Sequence, residues 1–275
     1  TVGLGREQGS LKVRIGGRPA AGLAELAETL PVQLVDNQAH LLVDGSPRHR
    51  RQFVDWGVFH VEPAFIAVWR RYQRALQQRN ALLRGGRSAR EIAGWDNELA
   101  GSGELLDKFR RRYLEGFSRT AELWAQGALG ELAVNLEYRP GWTEGQTLGE
   151  ALAANRERDR QQGGTQVGPH RADLSIKVDG RPARDRVSRG QEKALAGTLL
   201  LAQTAVYRMA TGRSCVLLLD DLPSELDSEH LARFVDQVVT TGAQTVITAI
   251  SRDSLPASLS PRVFHVEQGK ISQMV

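Results

Sequence analysis

The segment CVLLLDD, from Cys215 to Asp221, constrains this chain more than any other. An apolar run ending on two acids reads as a buried strand that delivers Asp220 and Asp221 at its carboxyl end. PVQLV and QTVITAIS are similar runs, and helical stretches alternate with them. Such strands predict an α/β domain whose sheet is covered on both faces and largely parallel. Ligands of open α/β sheets bind outside the carboxyl ends of the strands, which is where the two acids fall. Adjacent carboxylates repel, so the pair needs a cation or a displaced pKa. Magnesium held through Asp220, with Asp221 orienting an attacking water, is the Walker B arrangement of phosphoryl-transfer sites. Apolar runs followed by acids also end strands that have no such role.

The rest of the chain divides into three stretches of different character. In residues 1–62, LKVRIGGRPA predicts a hairpin turning at Gly16-Gly17, AGLAELAETL a helix and PVQLV a short strand. From about Asn37 to Trp56 two short helices are expected, broken by DGSP, with Pro47 in a first turn. Residues 63–165 form a helical arm or lobe. Phe65, Val68, Trp69, Tyr72 and Leu76 fall at helical spacing, as do Leu105, Phe109, Tyr113 and Phe117, and these aromatic stripes read as core. Gly85-Gly86 and the GWDNELAGSG region are expected to separate the long helices. A strand at VNLEYRPGW and a helix from Leu148 to Arg160 follow. QQGGTQVGPHRADL reads as a loop leading into residues 166–275. There the strand ADLSIKVDG, two helices around the acidic strand, the strand QTVITAIS and a closing hairpin restore the α/β pattern.

Lys and Arg total 36 against 32 Asp and Glu, a net charge of only +4, yet the arginines are clustered. RHRRQF supplies Arg48, Arg50 and Arg51, and KFRRRY supplies Arg110, Arg111 and Arg112, as candidate contacts to nucleic-acid phosphates. The competing reading is the solvated face of a surface helix. A single cysteine, Cys215, excludes an intramolecular disulfide framework and a cysteine-rich zinc site, and its apolar setting reads as core. No apolar run reaches the length that crosses a bilayer, so the chain is expected to be cytoplasmic with no membrane partner.

The stretch RVSRGQEKALAGTLLLA opens a helix with Ser188 as N-cap and Gln191 as its reciprocal partner, an S-x-x-Q capping box. Gly190 in the first turn costs about 0.5–1 kcal/mol relative to alanine, so something is expected to approach that backbone closely. A helix start with an open glycine amide and a serine hydroxyl is an anion-binding device.

SRGQ at a helix start, an acidic strand end about thirty residues on and a following SELD turn resemble the signature motif, Walker B and D-loop of an ABC-type ATPase head. GSPRHRRQFVDW, QRNALLR, GPHRADL, SRGQ, LLLDDLPSELD and HVEQGKI together resemble the RecF family of recombination and replication-gap repair ATPases, from about Leu11 to Ile271. The resemblance implies an α/β ABC-type head, partial and with an inserted helical arm, that uses ATP and Mg2+ and forms an ATP-dependent homodimer. It implies duplex DNA and single-strand/duplex junctions as partners, together with the RecR and RecO proteins. The implied activity is support of recombinase loading with slow ATP hydrolysis. Carried onto this sequence, Asp220 holds magnesium and Asp221 is catalytic. Ser188, Arg189, Gly190 and Gln191 face the partner's nucleotide, Ser224 and Asp227 belong to the D-loop, and Gln33 is the candidate Q-loop glutamine.

Two departures qualify the resemblance. G-x-x-x-x-G-K-[ST] is absent, and both GLGREQGS and LRGGRSAR fail it, so the phosphate cradle of amides and lysine is missing. The chain is expected to begin after the family's P-loop segment and to hydrolyse ATP only in a longer form. Secondly, TVITAIS has no switch histidine, with Thr248 or Ser251 near that place. Two rivals stay open: a non-enzymatic module that binds DNA or a partner, and a head of the chromosome-maintenance kind. The second is disfavoured by an arm too short for sustained heptads.

Overall fold

A computed structural model describes the chain apart from residues 8–9, 131, 222–225, 257–258, 260 and 275. The first strands are β1 (Val2–Glu7), β2 (Ser10–Ile15) and β3 (Arg18–Pro19), followed by α1 (Leu23–Thr29) and β4 (Val32–Val35). Helices α2 (Pro47–Val61), α3 (Phe65–Arg84) and α4 (Ala89–Leu129) lead to β5 (Val134–Arg139), α5 (Leu148–Ala154) and α6 (Arg156–Gln162). The chain continues through β6 (Asp173–Val178), β7 (Arg181–Pro182), α7 (Arg189–Thr211), β8 (Val216–Leu219), α8 (Ser228–Thr241) and β9 (Gln244–Ile247). It closes with the hairpin β10 (Phe264–Glu267) and β11 (Lys270–Gln273).

Among the described residues, parallel pairing is confined to one three-stranded sheet, ordered β4-β8-β9. The expectation of a largely parallel sheet fails elsewhere, since β1-β2-β3 and β5-β6-β7 are antiparallel. The reason is visible in DLSIKV, where Leu174, Ile176 and Val178 are buried and Asp173, Ser175 and Lys177 are half-buried. That alternation suits a sheet packed on one face only. Leu217 and Leu219 of β8 pack with Ala194 and Leu201 of α7 and with Phe234, Val235 and Val238 of α8. Leu34 and Val246 stay exposed, so the described residues do not cover the parallel sheet on both faces.

The arm differs from expectation at GWDNELAGSG, which lies inside one unbroken 41-residue helix, α4. A complete Ser88–Glu91 capping box starts it, and Ile92, Leu99, Leu106, Phe109, Tyr113 and Phe117 form its buried stripe. Gly103 serves packing there rather than breaking the helix. A Cβ on it would lie 2.4 Å from Leu148 Cδ2, so only glycine lets α5 come this close. Gly85 and Gly86 do separate α3 from α4. The expected Leu148–Arg160 helix is divided at Asn155 into α5 and α6.

A common core joins the stretches set apart by sequence character. It runs from Phe53 and Val58 of α2 through Tyr72 and Phe117 of the arm to Leu195 and Leu199 of α7. β5 lies before residue 165 and pairs along all six residues with β6 beyond it.

A buried ionic knot ties the arm together. The fully buried Arg79 of α3 donates to Asp96 Oδ1 of α4 at 2.8 Å, to Asp159 Oδ2 of α6 at 2.7 Å and to Thr165 Oγ1 at 2.8 Å. Arg156 adds a 2.9 Å bond to Asp96 Oδ2. Removing one partner of such a pair strands buried charge, which costs about 3–5 kcal/mol. Arg79→Ala is therefore expected to lower stability by about that much in urea titration, far more than loss of an exposed ion pair such as Arg71–Glu98 would. Nearby, His170 of GPHR faces the Tyr72 hydroxyl at 2.6 Å through Nδ1 and the Thr165 carbonyl at 2.9 Å through Nε2. Burial pushes its pKa down to about 4, so it is a neutral packing residue.

Candidate active site

The strand order brings the carboxyl ends of β4 and β8 together, and the chain leaves them as Asp36 and Asp220. Val35 pairs with Leu219, and the Asp220 amide donates to the Val35 carbonyl at 2.9 Å. A small cleft at this end is lined by Asp36, His40, Lys193, Asp220, Leu226 and Phe234, so α7 and α8 wall the same place. Asp220 is exposed.

The acidic pair is held from β9. Thr248 follows the last β9 residue; its amide donates to the Leu219 carbonyl at 2.9 Å. Its hydroxyl donates to Asp220 Oδ1 at 2.7 Å and accepts the Asp221 amide at 2.8 Å. Asp221 has φ +48°, in the left-handed region. A non-glycine residue there costs of order 1–3 kcal/mol and persists only where its surroundings impose it.

Ser188 forms the expected capping box at the start of α7. Its Oγ accepts the Gln191 amide at 3.3 Å, and Gln191 Oε1 accepts the Ser188 amide at 3.0 Å. The amides of Arg189 and Gly190 make no hydrogen bond among the described residues, so they remain donors at the positive end of a 23-residue helix. A Cβ on Gly190 would meet nothing closer than Asp227 Oδ2, at 3.9 Å. Among the described residues, no atom therefore demands a glycine at that point.

Asp227 caps α8, accepting the His230 amide at 2.9 Å and facing His230 Nδ1 at 2.7 Å. These bonds hold its carboxyl below the usual range. Ser224, the other D-loop candidate, lies outside the described residues. Gln33 does not reach the site. It sits opposite Leu217 in mid-strand, three residues short of Asp220, and is buried, which removes it as the Q-loop glutamine.

The candidate DNA contacts separate into two groups. Arg110 is 3% exposed, paired through two bonds with Asp55 and donating to the Pro169 carbonyl, so it is a core residue and not a surface contact. Arg50 is engaged by Asp173 and the Gly45 carbonyl, and Arg51 by the Ala172 carbonyl. Arg111 pairs with Asp107 and lies over the Tyr138 ring, whereas Arg48 and Arg112 face solvent. Consecutive residues on a helix point about 100° apart, so 110–112 cannot act as one footprint.

Sequence reading missed Asp36, His40 and Lys193. Asp36 follows PVQLV as Asp220 follows CVLLL, which is the signal that could have found it. Lys193 lies five residues past Ser188 on α7 and carries no comparable mark.

Residues from this chain suit a magnesium site of the nucleotide-dependent kind. Such ions take one or two carboxylates and complete their shell with water and substrate phosphates. Asp220 meets that need with a hard-oxygen donor at an exposed strand end.

A three-stranded parallel sheet ending in an acid pair, a capped signature-type helix beside it and a long helical arm define an ABC-type ATPase head. Solved structures agree on the fold. The chain superposes on a structure of the recombination mediator protein RecF-ATPrS in the RecFOR pathway at a TM-score of 0.86 with 22% identity, covering all of this chain and 76% of that one. A RecF-ATP structure gives 0.83 at 21% identity. An Smc head bound to the C-winged helix domain of ScpA gives 0.52 at 15% identity, covering 97% of this chain and 64% of that one. No protein-family profile matches. Among curated relatives, the DNA replication and repair protein RecF of Vibrio campbellii is 41% identical over 273 residues, 98% of this chain and 76% of its own length. The protein of the same name from Pseudomonas aeruginosa is 41% identical over 278 residues, 99% and 75% respectively. The chain belongs to the RecF family of DNA replication and repair proteins.

Proposed function

We propose that these residues form the acidic and signature halves of an ATP-dependent, dimeric DNA-binding head that supports recombinase loading at gaps with RecR and RecO. The observation that carries this reading is the convergence of β8 and α7 on one cleft, lined by Asp220 from the strand and Lys193 from the helix. Asp220 would hold magnesium, which would neutralise phosphate oxygens during transfer to water. Asp221 orients the attacking water and takes its proton. Ser188 and the Arg189 and Gly190 amides meet the terminal phosphate of a nucleotide held by the facing subunit. A donor-rich helix start with an open glycine and no steric demand from the described residues supports that role. The beginning of a second helix thus completes a site whose phosphate cradle the 275 residues do not contain. Calorimetry on residues 1–275 is expected to show no micromolar Mg-ATP binding, and micromolar binding would contradict the need for the cradle.

DNA contact belongs to arginines with no acid of their own. Arg84, Arg87 and Arg90 at the α3–α4 turn and Arg158 and Arg160 on α6 are exposed and make no ion pair among the described residues. Gly163, just past α6, lies beside Arg84, which brings the two groups together. Of the nearby acids, Asp96 and Asp159 are taken by Arg79, Glu91 by Ser88 and Glu98 by Arg71, which leaves Glu157 of α6 as one exposed acid among five arginines. Affinity for duplex DNA is expected to fall steeply with salt, with a log–log slope near −0.9 per phosphate contact. Replacing Arg84, Arg87 and Arg90 by Gln should flatten the slope by roughly two to three contacts. Arg110→Ala should instead lower stability through the stranded Asp55. An unchanged slope in the triple variant would remove the arm tip from the interface.

A further inference from the structure

We infer that Thr248 is the positioning residue of the acidic pair, acting through Asp220 and Asp221 rather than on the phosphate. One hydroxyl serves both acids: it donates to Asp220 Oδ1 at 2.7 Å and accepts the Asp221 amide at 2.8 Å. Its backbone is fixed by the bond to Leu219, so the hydroxyl has a rigid mount at the end of the parallel ladder. The first bond fixes the Asp220 rotamer and leaves Oδ2 to meet a cation. The second bond holds the chain where it turns left-handed at Asp221, with φ +48°. That turn swings the Asp221 carboxylate off the line of the strand and sets its direction relative to Asp220. Reciprocal use of a single hydroxyl as donor and acceptor makes the two acids one unit. A change in the spacing of β8 and β9 therefore reaches both carboxylates together. Both strand ends border the sheet edge on which nucleotide chemistry is proposed, so the inference rests on that reading.

The chemistry selects the variants. Thr248→Val keeps the shape and removes both bonds, whereas Thr248→Ser keeps both. In residues 1–275, amide hydrogen exchange at Asp221 read by NMR is expected to quicken at least tenfold in the valine variant and to stay within about twofold of the parent in the serine variant. In a P-loop-bearing form of the protein, Thr248→Val should lower kcat at least tenfold with ATP affinity changed less than about threefold, and Thr248→Ser should restore it. Equal exchange in the parent and valine chains, or a serine variant as defective as the valine one, would overturn the inference. Asp221→Asn measured in parallel keeps the two claims apart. If that variant hydrolyses ATP normally, the proposed catalytic site is wrong. If it is inactive while Thr248→Val turns over normally, only the positioning role is wrong.

Discussion

Asp221→Asn, in a P-loop-bearing form of the protein, is expected to bind ATP and accumulate as dimers while turnover falls by roughly two orders of magnitude or more, the scale of general-base contributions. The substitution keeps the shape and backbone amide of Asp221, so the bond to Thr248 survives. It also leaves Asp220, with its own bond to Thr248, in place to hold magnesium. What disappears is the charge that polarises water, and binding and chemistry therefore separate. ATP hydrolysis by steady-state phosphate release, with dimerisation followed by light scattering, checks both halves. Full turnover would mean that the base lies elsewhere.

The second large effect lies at the other end of the site. Ser188→Arg is expected to abolish ATP-dependent dimerisation while each subunit still binds ATP. The arginine would place a long cation at the helix start, where the terminal phosphate of the facing subunit's nucleotide is proposed to sit. Ser188→Ala separates capping from function. Loss of the cap alone costs about 0.5–2 kcal/mol of stability, and Ser188→Thr should cost little. Sedimentation with and without Mg-ATP, set beside melting curves, distinguishes the two effects. A Ser188→Arg protein that dimerises normally would leave Gly190 as a tolerated glycine in a capped helix.

Much of this architecture was legible because local chemistry and tertiary structure agree. Ser188 and Gln191 form the capping box that their spacing announces, and Pro47 stands in the first turn of α2. The apolar runs became the three parallel strands, and the hairpin turns at Gly16-Gly17. What failed depended on partners remote in sequence. GWDNELAGSG looked like a helix break because glycine lowers helix propensity, yet Gly103 is there to admit Leu148 and Tyr72. Arg110 looked like surface charge because its neighbours are arginines, whereas its partner Asp55 lies 55 residues away. Asp220 and Asp221 could be found from the sequence, but the hydroxyl that joins them could not. Thr248 reaches them only through the β8–β9 register, which brings together residues 28 positions apart.

The central claim is that one subunit's acids and the partner's SRGQ helix start act on the same nucleotide. It is tested most directly by mixing two defective proteins, Ser188→Arg and a variant lacking the P-loop lysine, both in P-loop-bearing form. A heterodimer of the two holds one composite site with both halves intact and one with neither. ATP-dependent pairing, measured by energy transfer between differently labelled subunits, is expected to be absent in each protein alone and to return in part on mixing. No recovery on mixing, with both proteins folded, would contradict a site shared between subunits.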